Sequence, residues 1–196
     1  RLTFHTRQDT DPSWSPDGDR LVFSSRCVSA SGPCYHGEPY AELTVIDADG
    51  SGLVRLTNHP TIDIFDTQPA WSPELADGSS RIVFRRQPFG IFLIAPDGSG
   101  EANIAPGSTG WAPTWSPDGL SFAFEKNQDL AVMNPDGTGV HLLTPPGDGV
   151  IDTVPSWSPD GLWVVFLRYN DPNQIVVNDL YVVRATRGPF ARLNTA

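Results

Sequence analysis

One lysine (Lys126), one methionine and two cysteines are all that this 196-residue chain holds of those types, and 13 basic side chains face 23 acidic ones for a net charge of −10. Nucleic-acid binding needs clustered Lys and Arg, so a polyanionic partner is excluded as the main business of the chain. No apolar run approaches the length of a membrane span, and nothing at Arg1 reads as a signal peptide. No stretch carries a helical period, and Gly-x-Ser-x-Gly is missing, which removes the strand-to-helix elbow of a serine hydrolase. Cys27 and Cys34 lie too far apart for the usual close pair of a zinc site. They bracket a six-residue insertion and read as a disulfide closing a loop of eight residues, worth about 2–3 kcal/mol by chain entropy. Such a staple implies an oxidising compartment, periplasmic or extracellular; two neighbouring free thiols are the other reading.

What is present is a repeat. Trp14-Ser15-Pro16-Asp17-Gly18 recurs as Trp71-Ser72-Pro73 with a delayed Asp77-Gly78, as Trp115-Ser116-Pro117-Asp118-Gly119 and as Trp157-Ser158-Pro159-Asp160-Gly161. Successive tryptophans stand 57, 44 and 42 residues apart, a period that fits propeller blades. Each copy precedes an apolar run ending in Phe (Phe23, Phe84, Phe124, Phe166), and a second run rich in β-branched and aromatic residues follows. Both read as strands. Asp49-Gly50, Asp97-Gly98 and Asp136-Gly137 then mark hairpins, because Gly accepts positive φ and Asp bonds back to its own backbone. Arg55-Leu56-Thr57, Asn103-Ile104-Ala105, Leu142-Leu143-Thr144 and Arg192-Leu193-Asn194 close the units. The expected fold is therefore all-β, a propeller of four-stranded antiparallel blades over residues 9–57, 66–105, 110–144 and 152–194. The whole of 1–196 is read as one domain, with Arg1-Leu2-Thr3 as the closing strand of a preceding blade.

Taken together, Trp-Ser-Pro-Asp-Gly, the strand after it, Asp-Gly-Ser-Gly and Arg-Leu-Thr resemble the WD40-like repeat of the TolB-type β-propellers along essentially the whole chain. The resemblance implies a propeller that works as an interaction module, as the gating domain of a prolyl-oligopeptidase-like hydrolase, or as a metal-dependent lyase. It does not choose among them. A closed four-blade ring and a part of a larger propeller or oligomer both remain open.

Candidate sites follow from the meander. Loops between blades share one end with the loops between second and third strands, and this end carries the variation. There Tyr35, His36, Glu38, Tyr40, Phe65 and Trp111 are the expected contacts for a protein partner or a second copy. Asp9, Asp66 and Asp152 stand five residues before their tryptophans, where converging carboxylates require a cation or an arginine. The cation reading is calcium at the channel mouth; the competing reading is local turn capping. His5 and His59 share one repeat position and would serve a lyase-like metal, but the third and fourth repeats lack them. Trp14, Trp71, Trp115 and Trp157 are read as core between blades. The expected function is a non-catalytic extracytoplasmic scaffold, with an enzyme's propeller as the alternative.

Overall fold

The computed structural model describes residues 1–4, 7–27, 40–59, 64–106, 110–147, 149–169, 178–186 and 191–192. These form strands and turns with no helix among them. The chain divides into two compact units, Arg1–Gly107 and Ser108–Ala196.

The first unit holds two meanders. β1 (Gln8–Trp14), β2 (Arg20–Cys27), β3 (Tyr40–Asp47) and β4 (Val54–Arg55) make the first; β5 (Phe65–Trp71), β6 (Ile82–Gln87), β7 (Gly90–Ile94) and β8 (Ala102–Pro106) make the second. Pairing is antiparallel within each, and one parallel bridge, Ala41 to Phe65, joins them into an eight-stranded sheet. In the second unit β9 (Trp111–Trp115), β10 (Phe122–Lys126), β11 (Asp129–Met133) and β12 (His141–Leu142) form one four-stranded sheet. β13 (Ile151–Trp157), β14 (Trp163–Tyr169), β15 (Asn178–Arg184) and β16 (Ala191–Arg192) form another.

Strands buried on both faces read as continuous apolar runs rather than alternating ones, and that is what the central strands show. In the first unit Val22, Leu43 and Val45 of the first meander pack against Trp71, Ile82, Phe84, Phe92 and Ile94 of the second. In the second unit Ala123, Leu130 and Val132 meet Val164, Phe166 and Val183, with Trp157 and Tyr181 against the cluster. One layer of side chains is thus shared by two meanders, and neither could bury it alone.

The turns behave as their chemistry demands. Ser15 donates to Asp17 at 2.5 Å and accepts from the Arg20 amide at 2.9 Å, while Gly18, at φ 77°, donates to the Ser15 carbonyl. The same contacts recur around Ser116 and Asp118 and around Ser158 and Asp160. In the second repeat the inserted Asp77-Gly78-Ser79 instead copies the hairpin turn: the Ser79 amide donates to Asp77, as Ser99 does to Asp97. These aspartates are turn formers. The serine or threonine hydroxyl and then the amide two residues on hold the carboxyl groups of Asp17, Asp49, Asp77, Asp97, Asp118, Asp136 and Asp160 below the ordinary carboxylate range.

One feature recurs that the repeat phrase does not announce. Asp11, Gln68, Ala112 and Val154 all have φ between 49° and 54° and each precedes a proline. At each, the pairing of the first and second strands slips its register. The bulge re-aims what lies before it, which places the aspartates of interest.

Residues 1–4 form no strand, where a closing strand was expected. Even so, Leu2 stands against Gly50 much as Leu56 stands against Gly98. A Cβ on Gly98 would meet the Leu56 carbonyl oxygen at 3.5 Å, and one on Gly50 would meet the Leu2 side chain at 3.6 Å and its carbonyl oxygen at 3.8 Å.

Candidate functional site

Because the bulge lies between them and the tryptophans, Asp66 and Asp152 sit at the starts of their strands, in register with the ends of the second strands. Asp66 faces Arg86, and Asp152 faces Arg168. Both carboxylates are fully buried, and Arg86 and Arg168 are 5% and 6% exposed. Arg86 donates to Asp66 through Nε at 2.7 Å and a terminal nitrogen at 2.9 Å; Arg168 donates to Asp152 twice at 2.6 Å. This two-point fork is the strong form of a charge-assisted hydrogen bond. The arginine, one of the two neutralisers the sequence allowed, is the one the structure supplies at these two positions.

Each guanidinium also lies over aromatic rings. Arg86 stands 4.3 Å from the Phe92 centroid and 5.2 Å from Phe84; Arg168 stands 5.1 Å from Tyr181 and 5.8 Å from Phe166. Arg86 continues to Glu101, and His59 Nε2 lies 2.7 Å from Asp66. Burial is the largest influence on Asp66 and pushes its pKa up, but the hydrogen bonds and charges of His59 and Arg86 together outweigh it, so the carboxyl titrates below its ordinary value. Burial likewise opposes the charge on Arg86, and Glu101 and Asp66 overcome it, so its pKa rises.

The same row differs in the other two meanders. In the third, Gly110 replaces the aspartate, and Lys126 at the end of β10 pairs in register with Asp129. In the first, Asp9 pairs with Ser25, which pairs with Glu42. Here the second strand supplies a hydroxyl where the others supply a cation. Glu42 is 2% exposed, takes Arg55 at 2.9 Å and accepts from the His59 amide at 3.1 Å. Among the described residues no group of three or more His, Cys, Asp or Glu side chains is placed to hold a metal ion.

The expected contact residues are spread differently. Trp111 is 41% exposed at the start of β9, where the other repeats carry Thr10, Thr67 and Thr153. Phe65 is half-buried under the Arg26 guanidinium, 5.5 Å from its centroid. Tyr40 departs from the expectation: at 6% exposure it belongs to the core at the start of β3, so it offers a partner no surface. Phe89, 47% exposed in the turn between β6 and β7, was not singled out from the sequence. Its repeat position varies in length, and only the fold shows that it lies at the same end of its meander as Asp66. His5, Cys34, Tyr35, His36 and Glu38 lie outside the described residues, as does the side chain of Cys27.

No protein-family model and no curated protein matches the chain in sequence. Solved structures do match in fold. TolB from Acinetobacter baumannii superposes with a TM-score of 0.69 at 14% identity, covering 98% of this chain and 45% of that one. A putative TolB from Agrobacterium tumefaciens gives 0.63 at 18%, covering 97% and 82%. An oligogalacturonate lyase from Vibrio parahaemolyticus gives 0.64 at 18%, covering 97% and 55%. The chain thus has the TolB-type β-propeller fold and spans less than half of the Acinetobacter TolB chain.

Proposed function

We propose that this chain is an extracytoplasmic propeller module that binds a protein partner, or a second copy of itself, through that end of each unit at which the unit's successive blades are joined. One observation carries this reading. At that end, the residues that depart from the repeat are exposed aromatics, Phe89 in the first unit and Trp111 in the second. Such side chains bring large contact area with little rotamer entropy to lose and are enriched at the centres of interfaces. The buried acids at the same end support it, since Asp66 and Asp152 are engaged by Arg86 and Arg168. The periplasmic or extracellular setting is proposed from the cysteine pair in the sequence and from the likeness in fold to TolB.

A photoreactive residue placed at position 89 or 111 is expected to give a discrete cross-linked product with a protein partner or a second copy. The same residue at position 120 or 162 is expected to give none, because Leu120 and Leu162, 67% and 62% exposed, lie at the Ser-Pro-Asp-Gly turns of the opposite end. Products of equal yield from both ends would overturn the reading. Substrate turnover that depends on Asp66 or Asp152 would replace it with the alternative, a propeller that serves an enzyme.

A further inference from the structure

Each covered joint between meanders has two kinds of face. The later meander brings its repeat tryptophan and two residues of its second strand: Trp71, Ile82 and Phe84, or Trp157, Val164 and Phe166. The earlier one brings one residue of its second strand and two of its third: Val22, Leu43 and Val45, or Ala123, Leu130 and Val132. Val22 pairs with Val45 and Ala123 with Val132, and residues two apart share a face of a strand. The trio therefore stands together on one side of its sheet.

One face of each kind is incompletely covered. β14 and β15 repeat the trio as Val165, Leu180 and Val182, with Val165 paired to Val182. Val22, Leu43 and Val45 are buried, as are Val83, Ile91 and Leu93 at the same places in the second meander. Leu180, in contrast, is 47% exposed, and Val165 and Val182 are half-buried. Along that side of β14, Trp163, Leu167 and Tyr169 are half-buried too, whereas Val164, Phe166 and Arg168 on its other side are buried. In the first meander Trp14 is 57% exposed, against 6% for Trp71 and 7% for Trp115. It edges a cleft of about 360 Å³ whose lining includes Leu2, Leu21, Phe23 and Ile46; the last three stand where the second meander has Ile82, Phe84 and Ile94.

We propose that the cleft beside Trp14 is filled by Leu180 of a second copy of this chain, with that copy's Val165 and Val182 against the Trp14 ring. Chemical identity selects this occupant: Val-Leu-Val is the trio that the first meander itself lays on Trp71, and β14 and β15 carry the same three side chains unburied. A plug on one copy and a socket on the next make a heterologous contact, which adds copies until a ring closes. Such a joint forms by mass action and comes apart on dilution, leaving Trp14 exposed on the single chain. It uses neither Phe89 nor Trp111 and does not rest on the partner reading above.

The test is the mass of the intact protein by light scattering after size exclusion, loaded over about a hundredfold range of concentration. The mass is expected to rise above that of a single chain as concentration rises. Trp14→Lys, which spoils the socket, and Leu180→Lys, which spoils the plug, should each weaken association by roughly tenfold or more, as truncation of a central contact does. Both positions are exposed, so the fold is expected to survive. An equal mixture of the two variants should restore one joint, between the plug of the first and the socket of the second, and should stop at two chains because the remaining faces are both spoiled. Leu120→Lys and Phe89→Lys should associate as the parent does. The proposal is overturned by a parent protein that stays single throughout, by parent-like association of Trp14→Lys or Leu180→Lys, or by a mixture of the two folded variants that forms no pair. Loss of association in Phe89→Lys would move the joint to the loop end and overturn it as well. The milder Leu180→Ser serves where a lysine variant does not fold: weakened association supports the joint, and parent-like association overturns it.

Discussion

Trp14 and Trp71 end the first strands of consecutive blades and each is followed by Ser-Pro, yet one is 57% exposed and the other 6%. The rows beside them differ in the same sense: Asp66 is forked by Arg86, and Asp9 faces Ser25. What a repeat residue contributes is decided by the face laid against it, because the layer of side chains between blades belongs to both. In the second blade that layer is complete, with the tryptophan amide accepted by Ser13 of the first blade at 3.0 Å and the ring covered by Arg20 at 5.1 Å.

The comparison breaks most strongly at the covered positions. Trp71→Ala is expected to lower unfolding free energy by about 3–5 kcal/mol through the cavity it leaves, while Trp14→Ala costs about 1 kcal/mol or less, as an exposed residue does. Urea unfolding of the two variants gives both numbers, and equal losses would erase the distinction. Arg86→Met should cost about 3–5 kcal/mol, since it strands a buried carboxylate.

Acid sharpens the contrast. Because the folded pKa of Asp66 is depressed, its contribution is fully present above the unfolded carboxylate value of about 3.9 and is lost as pH falls through the lower, folded value. Unfolding free energy measured between about pH 5 and pH 2 should therefore fall less steeply in Asp66→Asn than in the parent protein; parallel curves would remove Asp66 from the acid response.

Smaller effects test the seams. Thr57 and Thr144 accept the buried amides of Leu43 and Leu130 at 2.9 and 3.0 Å, so Thr57→Val and Thr144→Val should each cost about 1–3 kcal/mol by leaving an amide unpaired. Val154 holds a β-branched side chain at φ 52°. Val154→Gly should be neutral or stabilising by up to about 1 kcal/mol, because relief of that strain offsets the added freedom of the unfolded chain.

Much of the fold was legible in the sequence for a definite reason. Turns are local, so Ser-Pro-Asp-Gly and Asp-Gly-Ser-Gly announced their own hydrogen bonds, and the doubly buried strands announced themselves as unbroken apolar runs such as Ile91-Phe92-Leu93-Ile94. Even the delayed Asp77-Gly78 carried its signal, since Ser79 after it marks the hairpin turn. The charge rows were legible only by half. Asp66 and Asp152 stood out by their spacing, but Arg86 and Arg168 become their partners through a register that depends on bulges at Gln68 and Val154, and neither residue type suggests a positive φ. A cation two residues beyond the strand phenylalanine, in three of four repeats, was the available clue. The exposure of Trp14 had no local signal at all, since its phrase is the same as that of Trp115, which is 7% exposed.

The most direct test of this account is a pair of double-mutant cycles on unfolding free energy, one for Asp66→Asn with Arg86→Met and one for Asp9→Asn with Ser25→Ala. A coupling above about 2 kcal/mol is expected for the first pair, and one within about 0.5 kcal/mol of zero for the second. Equal couplings, or none between Asp66 and Arg86, would contradict it.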